Sequence, residues 1–174
     1  MDFLKNYTST VPVSQTIYRI EQVLIRCKVK DISKEYGPTG QVLALRFSIA
    51  QEQGMPPVQI RLPVDVEGCQ QALWLDYAAG EKLSADGATI QWNRRKQKKK
   101  RDFLDQAERT AWRIMQDWVE VQLSMIQLKQ ADTLEVFLPY VWDGKTTFYR
   151  HIKDRGYRGL LPERTGEEER VDPA

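Results

Sequence analysis

Residues 94–101 read RRKQKKKR, and Gln97 is the one position in that run without a positive charge. Arg94, Arg95, Lys96, Lys98, Lys99, Lys100 and Arg101 spaced this closely can neutralise consecutive phosphates and release condensed counterions. The affinity that results is salt-sensitive and independent of base sequence. Trp92 stands two residues ahead of the run, where an indole can stack on an unpaired base. The guanidinium groups of Arg94, Arg95 and Arg101 suit bidentate phosphate contacts. Two duller readings apply to the same residues. One is a solvated charged loop ahead of a helix; the other is a nuclear-import signal, which has meaning only in a eukaryotic cell. Lys99–Arg101 also crowd the positive end of the helix that begins near Asp102, an arrangement that an anion would relieve.

Nothing in the chain has catalytic spacing. His151 is the sole histidine, and Cys27 and Cys69 are far apart, so neither a histidine-based metal cluster nor a paired-cysteine zinc site can be assembled. Both cysteines fall on apolar helix stripes and read as core. There is no phosphate-binding loop, dinucleotide-binding glycine pattern or nucleophile elbow. Glu108, Asp117 and Glu120 share one helix, and such carboxylates can hold magnesium. Arg109 and Arg113 beside them account for the acids as salt-bridge partners instead. The expectation is a non-enzymatic protein with no metal and no cofactor.

The net charge of +2, from 26 basic and 24 acidic residues, hides the asymmetry. The basic run alone exceeds it, so the rest of the chain is slightly acidic, the end (PERTGEEERVDPA) most clearly. A polyanion would therefore meet a concentrated patch rather than a basic surface. Such a chain is not a heavily acidic DNA mimic. A 41% hydrophobic fraction excludes wholesale disorder, and two cysteines exclude a disulfide framework. No apolar run approaches the ~18 residues of a membrane span. MDFLKNYTSTVP lacks a basic segment followed by an apolar stretch, so no secretory signal is expected. A soluble, intracellular protein is the expectation.

These residues must be carried by elements that the periodicity predicts. Ser14 is placed to cap a helix over about 15–27, with Ile17, Ile20, Leu24 and Cys27 on one stripe. A weakly alternating strand over 28–36 leads to a turn at Gly37–Gly40. Leu43, Leu45, Phe47 and Ile49 then alternate with Val42, Ala44, Arg46 and Ser48 in the clearest strand. Val58, Ile60, Leu62 and Val64 make the next, which Pro63 ends or confines to an edge. Short connections predict an antiparallel three-stranded meander. Asp65 is placed to cap a helix over about 66–78, with Val66, Cys69, Leu73 and Tyr77 inward and Gly80 at its end. A polar connection over 80–101 follows, with a short strand at 88–90. The run from Asp102 to about Leu128 has neither glycine nor proline and carries two apolar stripes. Leu104, Ala107, Ala111, Ile114, Met115, Trp118, Gln122 and Met125 form the first, with Gln122 its polar exception; Trp112, Val119, Leu123 and Ile126 form the second. A central helix packed on both sides is predicted, braced by Asp105–Arg109 and Arg113–Asp117 pairs. Thr133 and Thr146 are placed to cap two short helices, the first stopped by Pro139 and the second over 147–153.

The predicted fold class is therefore α+β: a small antiparallel three-stranded sheet with helices packed mainly on one face, including one long central helix. Residues 1–153 read as one domain with the basic linker 92–101 inside it, and 154–174 as a polar tail. The order α-β-β-β-α over 15–78 is that of a double-stranded-RNA-binding domain. Those modules, however, begin their second helix with basic residues, whereas this one begins Asp65-Val66-Glu67-Gly68. Trp112 and Trp118, six residues apart, point to different helix faces and read as core. Phe137, Tyr140 and Trp142 read as cover for the core, unless an exposed subset marks a partner site.

The stretch AERTAWRIMQDWVEVQ (107–122), with EVFLPY (135–140), resembles a set of small uncharacterised proteins encoded by phages, prophages and other mobile elements. Glu35-Tyr36, Gly40, Leu45-Arg46-Phe47-Ser48 and Arg61-Leu62-Pro63-Val64 look similar as well. The resemblance carries over no functional residue. It implies a context: bacterial or phage cytoplasm, with genes that often serve DNA metabolism or counter-defence. Two functions fit these observations. The first is a nucleic-acid-binding accessory protein that contacts DNA or RNA phosphates through Arg94–Arg101, helped by Trp92, Arg19 and Arg26. The second is a protein-binding inhibitor or adaptor that uses aromatics near Phe137–Trp142 or the tail. Neither involves a membrane.

Overall fold

The computed structural model describes residues 4–27, 29–51, 54–85 and 98–157, with the backbone alone over 80–85. Its fold is α+β. Helix α1 (Val13–Arg26) leads into strands β1 (Lys30–Tyr36), β2 (Val42–Ile49) and β3 (Val58–Pro63). Helices α2 (Val66–Ala85), α3 (Leu104–Gln127), α4 (Thr133–Phe137) and α5 (Phe148–Asp154) follow. The strands form an antiparallel meander in the order β1-β2-β3, as short connections dictate. The expected strand at 88–90 and the tail beyond Tyr157 lie outside the described residues.

One face of the sheet carries the apolar alternation. Leu45 and Phe47 on β2 stand opposite Leu62 and Ile60 on β3, and all four are fully buried. They join Ile17, Ile20 and Leu24 of α1, Trp112, Val119 and Leu123 of α3, and Phe137 of α4 in one cluster. Phe137 meets Phe47 edge-on at 5.3 Å and Trp118 at 5.9 Å, geometries that aromatic quadrupoles favour. Helix α3 packs against both α1 and α2, the two-sided burial that its two stripes predict. Both stripes are buried unevenly: Trp112, Val119 and Leu123 of the second are fully buried and Ile126 half-buried, while of the first Ala107 and Ala111 are buried, Ile114, Met115 and Trp118 half-buried and Leu104 exposed. Thr110 and Gln116 are buried as well. Thr110 donates to the Asn6 carbonyl, and Gln116 is held between Arg113 and Glu120. These local partners make the two polar side chains compatible with burial.

Several predicted helix ends move, each for a local reason. Helix α1 starts at Val13, ahead of Ser14, with the Pro12 carbonyl accepting from Gln15 and Thr16 N–H. Gly80 does not end α2, which continues to Ala85; a glycine costs a packed helix only ~1 kcal/mol. Asp65 does cap it, accepting from Gly68 N–H at 2.8 Å. The acidic start of that helix is thus a structural cap. Asp132, not Thr133, caps α4, and Glu135 reaches back to the Asp132 N–H. The short α-helix ends at Phe137, one residue earlier than expected and ahead of Pro139, which sits in a 3-10 turn, Leu138–Tyr140. Thr147 rather than Thr146 caps α5. Of the two expected ion pairs on α3, Arg113–Asp117 forms at 3.6 Å, while Arg109 turns to the Ser9 carbonyl and Gln106.

Candidate functional site

The second half of the basic run is a held edge. A 3-10 turn, Lys100–Phe103, precedes α3. Three hydrogen bonds from side chains fix the backbone at Lys98, Lys99 and Lys100. The Lys98 N–H donates to the Tyr77 hydroxyl at 3.4 Å, and the Lys99 N–H donates to the Asp102 carboxylate at 2.8 Å. Gln70 of α2 donates to the Lys100 carbonyl at 3.1 Å. The backbone is therefore pinned while Lys98, Lys99 and Arg101 remain exposed and Lys100 half-buried. Asp102 spends its carboxylate on the Lys99 N–H and lies 3.8 Å from Arg101, whose side chain is 80% exposed. An exposed pair at that distance neutralises little of the charge. Arg94, Arg95, Lys96 and Trp92 lie outside the described residues. Arg19 and Arg26 are exposed on α1.

Beside this edge sits an aromatic cluster that the sequence reading did not single out. Trp74 and Tyr77 of α2 lie 5.9 Å apart, and Phe103 is 6.1 Å from the first and 5.4 Å from the second. All three rings are half-buried, and the Lys98 ammonium stands 5.5 Å from the Phe103 ring centre. The available signal was the i,i+3 spacing of Trp74 and Tyr77 on one helix face, together with an aromatic directly after the basic run.

A second polar constellation occupies the sheet face turned away from the core. Arg46 on β2 and Arg61 on β3 stand directly opposite each other. Glu35 of β1 accepts from both, at 2.6 and 3.0 Å from Arg46 and twice at 2.9 Å from Arg61. The two guanidinium groups hold the Glu35 carboxyl down at about 2, with the Arg61 hydrogen bonds the larger cause. Arg46 in turn lies over the Trp142 ring at 4.6 Å. Trp142 donates its N–H to the Gln59 carbonyl, which fastens the segment after α4 to the free edge of β3.

Trp142 opens a tight hairpin that closes at Thr147, with Gly144 at φ +98° in the left-handed region. Asp143 caps the turn by accepting from Lys145 and Thr146 N–H, which lowers its carboxyl pKa. Between hairpin and α5 lies a cavity of about 330 Å³, lined by Val141, Trp142, Asp143, Thr146, Thr147, Phe148 and His151. A larger hollow of about 580 Å³ lies between the ends of α1 and β2 and the start of α4, with Cys27, Met55 and Asp132 on its walls. Asp132 is committed to the α4 cap there, and burial pushes the Cys27 thiol pKa up. Burial, with the Asp65 charge adding, does the same to Cys69.

Among the described residues no three His, Cys, Asp or Glu side chains converge as a metal site would require. Asp117 is bonded to Arg113 and Asn6, and Glu120 to Gln116. No helix among the described residues is long and apolar enough to cross a membrane. Phe137 is fully buried, so an aromatic surface at 137–142 falls to Tyr140 and Trp142, both half-buried. No protein-family model, no curated protein and no solved structure matches this chain.

Proposed function

We propose that the protein is a non-enzymatic nucleic-acid-binding accessory protein, in keeping with the phage or mobile-element context its sequence resembles. It contacts phosphates through Lys98, Lys99, Lys100 and Arg101 together with Arg94, Arg95 and Lys96. The observation that carries the reading is the held basic edge. Cations that merely hang in solvent need no anchor, whereas Lys98, Lys99 and Lys100 ride on a backbone pinned by Tyr77, Gln70 and Asp102. Cations carried on a fixed backbone lose less backbone entropy on meeting a phosphate chain than cations on a free coil do. The half-buried Trp74 and Phe103 rings beside it are aromatic surface of the kind on which a base stacks.

Anisotropy titrations of labelled DNA and RNA strands test this. Lys98→Ala, Lys99→Ala, Lys100→Ala and Arg101→Ala combined should weaken binding about tenfold or more at low salt. Unchanged affinity would reject the proposal. The competing reading, an inhibitor or adaptor that binds another protein, predicts a partner retained from lysate after nuclease treatment.

A further inference from the structure

The cavity between the Trp142–Thr147 hairpin and α5 is built from the kinds of group that recognise a planar, hydrogen-bonding ring. Trp142 and Phe148 supply aromatic surface, and Thr146 and His151 supply polar atoms. The Thr146 and His151 side chains make no hydrogen bond among the described residues, and the His151 ring lies within electrostatic reach of the Asp143 carboxylate. At about 330 Å³ the cavity is at the small end of the ligand-pocket range, suited to one ring system rather than a large ligand. Its walls are braced. The Trp142 ring is backed by Arg46, which Glu35 holds. The Phe148 N–H donates to the Val141 carbonyl at 2.7 Å, and the His151 N–H to the Thr147 carbonyl at 2.9 Å. Asp143 is the one carboxylate among the lining residues, and the exposed Lys145 and Arg150 are chain neighbours of the lining residues Thr146 and His151. Aromatic walls and polar side chains suit a planar, hydrogen-bonding ring, and the neighbouring Lys145 and Arg150 suit a phosphate on either side of it.

We propose that this pocket takes one unpaired base of a single-stranded nucleic acid, stacked against Trp142 and Phe148, while Lys145 and Arg150 hold the flanking phosphates. The inference rests on the nucleic-acid reading above and sharpens it: the ligand is single-stranded, because a base inside a duplex offers no free ring face.

Anisotropy with a labelled oligothymidylate and a labelled duplex tests it. Phe148→Ala should weaken the single strand about tenfold and leave the duplex unchanged. A strand carrying photoreactive thiothymidine, irradiated with the wild-type protein, should cross-link to the peptide around 141–151. That measurement needs no variant and holds even if Phe148→Ala fails to fold. Cross-links confined to the Trp74–Phe103 region, or a folded Phe148→Ala protein with unchanged single-strand affinity, would overturn the pocket and leave the basic edge standing. A wild-type protein that binds no strand would overturn both.

Discussion

Glu35 stands between two like charges that the strand register forces together. Arg46 and Arg61 are directly opposite on neighbouring strands, a pairing that is unfavourable by itself. The carboxylate turns that repulsion into a bridge across three strands, and its pKa of about 2 measures how strongly the charged form is preferred. Because the folded pKa lies below the unfolded one, the stabilisation is complete above about pH 5. It is lost as acid protonates the group toward pH 2. Glu35→Gln should lower unfolding free energy at pH 7 by about 1–3 kcal/mol, the lower part of that range applying if solvent screens the half-exposed arginines. The gap between variant and wild type in urea denaturation should close as pH falls from 5 to 2. A constant gap would mean that the charge is not what matters. None of this was legible in the sequence. Arg46 was readable as an outward position on a strand, but its partners, 11 and 15 residues away, depend on a register that two irregularities in the β1–β2 ladder set.

The elements were more legible than their ends. Alternation in β2 and β3 reports the face they bury, because a strand's side chains change face at every residue. The two stripes of α3 report two-sided packing, but sequence alone could not weigh them. Trp112, Val119 and Leu123 win because they meet both the sheet and α1 in the common core. Caps were displaced by one residue at α4 and α5 because Asp-Thr and Thr-Thr pairs offer two candidates and only geometry chooses. Phe137 anchors α4 between Phe47 and Trp118, so Phe137→Ala should cost about 3–5 kcal/mol in denaturant unfolding. Leu75→Ala, at a residue 56% exposed, should stay within about 0.5 kcal/mol. Asp102 ties the start of the 3-10 turn to the basic edge. Asp102→Ala should cost about 0.5–2 kcal/mol and speed amide exchange at the start of α3. Equal exchange rates in variant and wild type would show that the turn does not depend on this cap.

At the scale of the whole molecule, function depends on where charge is concentrated rather than on its total. Composition made the basic run visible, but nothing in the linear sequence pairs it with Trp74 and Tyr77 some 25 residues earlier. That pairing exists because α2 packs along α3 and delivers its aromatic face to the turn ahead of it. A chain of net charge +2 has little long-range attraction for a polyanion. Binding must then come from the local patch, and the salt dependence should count the cations of that patch. Each phosphate contact contributes roughly 0.7 to 0.9 to the slope of log affinity against log salt. Removing the positive charges of Lys98, Lys99, Lys100 and Arg101 together should therefore flatten that slope by about 3, if each of the four holds one phosphate. A slope that is steep in the wild type and stays equally steep in the variant would place the phosphate contacts elsewhere. A slope near zero in the wild type would favour a surface that meets another protein.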